Sequence, residues 1–197
     1  MRGGAKKNRR IQWCYNFFSK NHRGQIWIET VIYTLIALTM IGAVLAFVIP
    51  RIEEIQDKSV IEQSADVMKD INNIVLSLVQ GGPGNKRLVE AKIKKGALII
   101  DTMNDKIIFE METDYLYSEP CESEPCDNKI VNVGNIKVLT KKVGGINKVT
   151  LTTDYPYDIT YNNVNTEEKR LEQSPTAYKI LIENKGGAET IIDFALS

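Results

Sequence analysis

QIWIETVIYTLIALTMIGAVLAFVI, residues 25–49, holds a single charged side chain, Glu29. An α-helix rises ~1.5 Å per residue, so about 20 mostly apolar residues cross the hydrocarbon core of a bilayer, and this stretch is long enough. It is longer than the roughly 7–15 apolar residues of a secretory signal. Pro50-Arg51 follows it, where a signal would place small residues for cleavage. The rival reading is a buried core helix, but soluble helices are seldom apolar all round over such a length. The stretch reads as a membrane span.

Charge gives the span a direction. The 197-residue chain is formally neutral, with 25 Lys+Arg and 25 Asp+Glu. Residues 1–24 hold seven of the bases (Arg2, Lys6, Lys7, Arg9, Arg10, Lys20, Arg23) and no acid, which leaves 18 bases against 25 acids, a balance of −7, in 25–197. A basic start on an acidic protein suits either a nucleic-acid tail or a topology signal. The apolar stretch that follows selects the second. By the positive-inside rule the leader stays in the cytoplasm. The far flank (Arg51, Glu53, Glu54, Asp57, Lys58) is mixed and slightly acidic, so the rest of the chain is expected outside.

Beyond Pro50 the pattern becomes amphipathic. Ile52, Ile55, Ile61, Ala65, Met68, Ile71, Val75 and Leu78 recur mostly every three or four residues, which marks one helical face to bury. Glu53, Asp57, Lys58, Glu62, Asp66, Lys69 and Asp70 fall largely on other faces. Pro50 should kink the helix, and Gly81-Gly82-Pro83-Gly84 should end it.

After Gly84 the period shortens to two. Residues 97–102 and 106–113 flank Met103-Asn104-Asp105; 136–142 and 147–153 flank Val143-Gly144-Gly145-Ile146; 178–183 and 190–195 flank 184–189. Each pair predicts a β-hairpin. Residues 88–93 and 158–162 are weaker strand candidates, and the polar run 163–175 reads as an exposed loop. The fold class is therefore α+β: a long N-terminal helix, membrane span then amphipathic extension, followed by an antiparallel β-sandwich-like domain.

At the front of the span stand Arg23-Gly24-Gln25, with Glu29 at the fifth position after the glycine. This constellation resembles the class III signal of type IV pilins and archaeal flagellin-like proteins. Gln25 followed by Ile26, Trp27 and Ile28 looks like the archaeal version, since bacterial pilins usually begin with Phe. The motif covers roughly 20–50, and the remainder is similar by architecture only. The resemblance implies a leader, 1–24, removed after Gly24 by a prepilin peptidase. It implies a filament-core helix over 25–49, a helical extension over 50–80 and an extracellular β-rich domain over 81–197. It implies as partners the membrane, copies of the same chain or other pilins, an assembly ATPase and a platform protein, with adhesion as the service. Glu29 would then meet a neighbouring subunit's N-terminal amine. A charged residue at a bilayer centre costs about 2.5–3.5 kcal/mol, so such an acid is a functional candidate in its own right. The alternative is an uncleaved single-pass anchor carrying an external binding domain, which needs neither Gly24 nor Glu29.

Cys121 and Cys126 enclose Glu122-Ser123-Glu124-Pro125, while Cys14 lies in the leader. Removing the leader would leave an even external pair, where disulfides persist. A metal site is the competing reading, but two Cys without a His make half a ligand set. The only histidine, His22, is in the leader, which excludes His-based triads, bases and metal sites from a processed chain. The chain has no phosphate-binding Gly-Lys-Ser/Thr loop and no Asn-x-Ser/Thr sequon. We expect no cofactor, no metal, no nucleic-acid partner and no enzymatic activity. The tyrosines of 114–117 and 155–161 read as half-buried strand residues.

Overall fold

The computed structural model describes residues 22–123, 125–166, 168–187 and 189–197, with side chains of the first helix from Trp27 onward. Residues 1–21 of the expected leader, Cys14 among them, lie outside the described residues. The chain divides into two compact units, Met1–Pro50 and Arg51–Ser197.

In the first unit the helix α1 (His22–Gly81, with Pro50 inside it) exposes every side chain from Trp27 to Pro50. Hydrophobic residues are exposed on all sides, and the helix is long and apolar enough to cross a membrane. Two of its hydroxyls turn inward to their own backbone: Thr34 Oγ1 donates to Val31 O and Thr39 Oγ1 to Ile36 O, both at 2.8 Å. Such bonds let polar side chains sit in a solvent that offers no partners.

In the second unit the later turns of α1 bury Ile61, Ala65, Met68, Ile71, Val75 and Leu78, each 6% exposed or less. Ile52 and Ile55, expected on the same buried stripe, are exposed at 46% and 68%. Coverage of the helix starts at Asp57, after both of them. Asp57 itself was expected on a solvated face and is buried. Lys95 Nζ reaches its two carboxylate oxygens at 2.7 and 2.8 Å, and Thr113 Oγ1 donates to it at 2.6 Å. A buried carboxylate requires such partners. These bonds hold the helix in register on the strands.

Ten strands follow among the described residues: β1 (Lys86–Ala91), β2 (Ala97–Asp101), β3 (Lys106–Thr113), β4 (Val131–Val133), β5 (Ile136–Val143), β6 (Ile146–Asp154), β7 (Asp158–Tyr161), β8 (Glu168–Glu172), β9 (Tyr178–Gly186) and β10 (Ile191–Leu196). They form a four-stranded sheet, β1-β9-β10-β7, and a six-stranded sheet, β4-β5-β6-β3-β2-β8. Among the described residues the strand pairings are antiparallel except β7 with β10, which run parallel. A parallel pair needs a crossover, here supplied by the chain through β8 and β9. One hydrophobic core draws on the helix and on both sheets, with Phe109, Met111, Leu151, Ile182, Ile192 and Phe194 almost wholly enclosed.

Two local readings need correction, and one strand was not expected. The run 163–175 is not all loop, because β8 adds to β2 in antiparallel register and buries Leu171. Residues 131–133 form a strand, β4, that pairs with β5. The β5–β6 connection is two residues, not four: Gly144 and Gly145 both hold positive φ, 61° and 92°, as a tight hairpin turn requires. Of the tyrosines, Tyr155 is buried, while Tyr115, Tyr117, Tyr157 and Tyr161 are half-buried against the core. Tyr161 ends β7, whereas Tyr115 and Tyr117, after β3, and Tyr155 and Tyr157, between β6 and β7, lie outside any strand.

Asn184 closes the helix. Its Nδ2 donates to Leu78 O at 2.9 Å and its Oδ1 accepts from Gly186 N–H at 2.9 Å, while Asn85 Nδ2 donates to Gly81 O at 2.6 Å. Carbonyls that a helix end leaves without partners are thus satisfied by side chains from β9 and from the connection before β1.

The outward face of the six-stranded sheet carries cross-strand ion pairs. Glu110 on β3 meets Lys148 at 2.6 Å and Arg170 at 2.5 Å, the latter reaching across β2. Asp154 meets Lys137 at 2.7 Å and Lys106 at 3.6 Å. Burial pushes the Glu110 carboxyl up, but bonds from Lys148 and Arg170 outweigh it and hold it below its ordinary value. The hydrogen bond from Lys137 holds Asp154 low as well. A lowered folded-state value means stability that is present above the unfolded value and lost as pH falls through the folded one. Thermal unfolding of the detergent-solubilised chain should therefore be insensitive to pH near neutrality and drop as pH falls below the ordinary values of 4.5 for Glu110 and 3.8 for Asp154, where the unfolded chain takes up protons before the folded one does. The low-pH drop should shrink in Glu110→Gln; an unchanged profile would remove this pair from the account.

Candidate processing and assembly site

Arg23, Gly24 and Gln25 fall in the first turn of α1, which begins at His22. The first four N–H groups of a helix have no partner within it, so this turn opens at low cost. A protease needs such an opening, because it binds its substrate with backbone groups free. Gly24 adds the second requirement, since no Cβ blocks close approach to the bond that follows it.

Glu29 stands four residues after Gln25. On a helix that spacing places the two positions on one face, a single turn apart. The helix has no basic residue from Trp27 to Pro50, so the Glu29 carboxylate has no cation on that stretch of its own helix. Its contact is Tyr33, whose hydroxyl donates to Glu29 Oε1 at 3.4 Å. If the bond after Gly24 were cut, a new α-amino group would appear at Gln25. An amine and an acid one turn apart then become complementary between neighbouring helices staggered along their length.

Cys121 and Cys126 form a disulfide, with Cα atoms 5.7 Å apart. Cys121 lies beside β5: its N–H donates to Thr140 O at 2.8 Å, and Lys142 N–H donates to Cys121 O at 3.2 Å. Ser118 Oγ and Thr140 Oγ1 meet at 2.7 Å. The far half of the β5 edge, which β4 leaves open, is thereby covered, as exposed strand edges generally must be. No group of three or more His, Cys, Asp or Glu placed to hold a metal occurs among the described residues.

The structure gathers Arg23, Gly24, Gln25 and Glu29 at the start of one helix and sets the disulfide at a sheet edge in the other compact unit. Sequence reasoning passed over Tyr33, although its i, i+4 spacing to the one acid of the span was there to find. Compared with known proteins, the chain matches no protein-family model, no curated protein and no solved structure.

Proposed function

We propose that this chain is the precursor of a structural subunit, major or minor, of an archaeal type IV pilus-like surface filament. A prepilin peptidase cuts it after Gly24, and the mature subunit assembles through the apolar helix that begins at Gln25. The observation that carries this reading is the helix itself. From Trp27 to Ile49 its side chains are exposed and mostly apolar on every side, with one charged group, an acid set a single turn beyond the Gly24-Gln25 bond.

Such a surface is stable in lipid before assembly. It remains dry afterwards if each helix leaves the bilayer for a bundle of its own kind. An assembly ATPase in the cytoplasm and a membrane platform supply the work of that transfer. The basic leader holds the precursor's N-terminus in the cytoplasm, and the C-terminal domain lies outside. In the filament this domain, read as a sandwich-like pair of sheets, forms the outer wall and serves adhesion. The Cys121–Cys126 bond suits an oxidising exterior.

Glu29→Ala tests the assembly step apart from the processing step. The variant should mature to the same N-terminus as wild type, since the peptidase acts at Gly24. Its share in sheared filaments should fall by about tenfold or more, the equivalent of roughly 1.4 kcal/mol lost from an ion pair in a dry core. Filaments of normal yield and length in Glu29→Ala would end the assembly role of this residue.

A further inference from the structure

The apolar stretch bonds the hydroxyls of Thr34 and Thr39 to backbone carbonyls. A carboxylate cannot be handled that way. It only accepts, and a helix interior offers no spare donors. Left to itself Glu29 would extend toward the interface, because long charged side chains near a helix end reach for the headgroups.

Tyr33 counters this. Side chains on a helix lean toward its N-terminus, so a residue at i+4 lies over the turn that holds residue i. Tyr33 reaches Glu29 in this way, and its hydroxyl donates to Oε1 at 3.4 Å. Glu29 is itself exposed, which leaves its carboxylate open to a second donor from the side. A carboxylate has about four acceptor positions, so the phenol and an arriving amine can be bound together.

We propose that Tyr33 is the positioning residue for Glu29, keeping its carboxylate on the helix flank, where the N-terminal amine of a neighbouring subunit reaches it. This rests on the filament reading above. Tyr33 takes no part in cleavage. It keeps the acid from extending to the interface and reduces the rotamer freedom that Glu29 must lose when the subunits join.

The test uses the full chain in its native membranes, with Tyr33→Phe, Glu29→Gln and the double variant. Phe keeps the ring and removes only the donor. In unassembled, membrane-bound subunits, the carboxylate infrared band identified by difference against Glu29→Gln should shift in Tyr33→Phe. Leader removal in Tyr33→Phe should equal wild type, while incorporation into filaments falls about tenfold. In the Glu29→Gln background the same change should produce no further loss. An unshifted band, incorporation within about twofold of wild type, or an equal loss in both backgrounds would overturn the proposal. A wild-type chain that keeps its leader would overturn the filament reading and this proposal with it. Processed wild-type filaments that are indifferent to Tyr33→Phe would overturn this proposal alone.

Discussion

Gly24→Leu should leave the precursor in the membrane at normal abundance with its leader attached, and the processed form should fall by about a hundredfold or more. The magnitude follows from what the residue does. A Cβ and a branched side chain beside the scissile bond displace the backbone from the attacking groups, and a shift of about 1 Å is enough for a loss of that size. Abundance should hold because Gly24 belongs to Met1–Pro50, whereas the hydrophobic core is built from the other compact unit, Arg51–Ser197. Quantitative mass analysis of membrane extracts reads both quantities at once. Equal processing of Gly24→Leu and wild type would show that the bond after Gly24 is not the one cut.

Phe194→Ala should be among the most damaging single changes in the β-rich domain. Phe194 is fully buried on β10, where it stands opposite Ile182 of β9 on one side and Tyr161 of β7 on the other. Removing a ring from such a position costs about 3–5 kcal/mol, of which part is the cavity that rigid strands cannot close. Domains of this size are stable by only about 5–15 kcal/mol, so roughly a fifth or more of the margin is at stake. The thermal midpoint should fall by roughly 10 °C, read by circular dichroism of the detergent-solubilised chain. Phe194→Leu, which fills most of the space, should fall much less. A change below about 1 kcal/mol in Phe194→Ala would contradict the enclosed core described above.

The sequence made the regular parts legible and hid those that depend on partners far along the chain. The period of the helix after Pro50 was readable because Ile61, Ala65, Met68, Ile71, Val75 and Leu78 repeat a local spacing. The β2–β3, β5–β6 and β9–β10 hairpins were readable because alternation and turn residues are also local. β8 was not, since Glu168–Glu172 offers one apolar residue, Leu171, and becomes a strand by pairing with β2 some 70 residues earlier. The parallel partnership of β7 and β10 leaves no mark on either segment. Asp57 was hidden for a related reason. An acid on a helix reads as solvated until Lys95 and Thr113, 38 and 56 residues away, are seen to meet it.

The same division runs through the candidate site. Arg23, Gly24, Gln25 and Glu29 are consecutive or nearly so, which is why a motif could carry them. Tyr33 is equally close but belongs to no motif, and only its hydroxyl's approach to Glu29 gives it a part.

The claim on which the rest stands is removal of the leader, and the N-terminus of the protein recovered from its native membranes tests it most directly, by intact mass or terminal sequencing. A chain that begins at Gln25 is the predicted result: the seven basic residues would be gone and a free amine would stand one turn from Glu29. A chain that still begins at Met1, or at Arg2 after loss of the initiator, would contradict it and leave a single-pass surface anchor in its place.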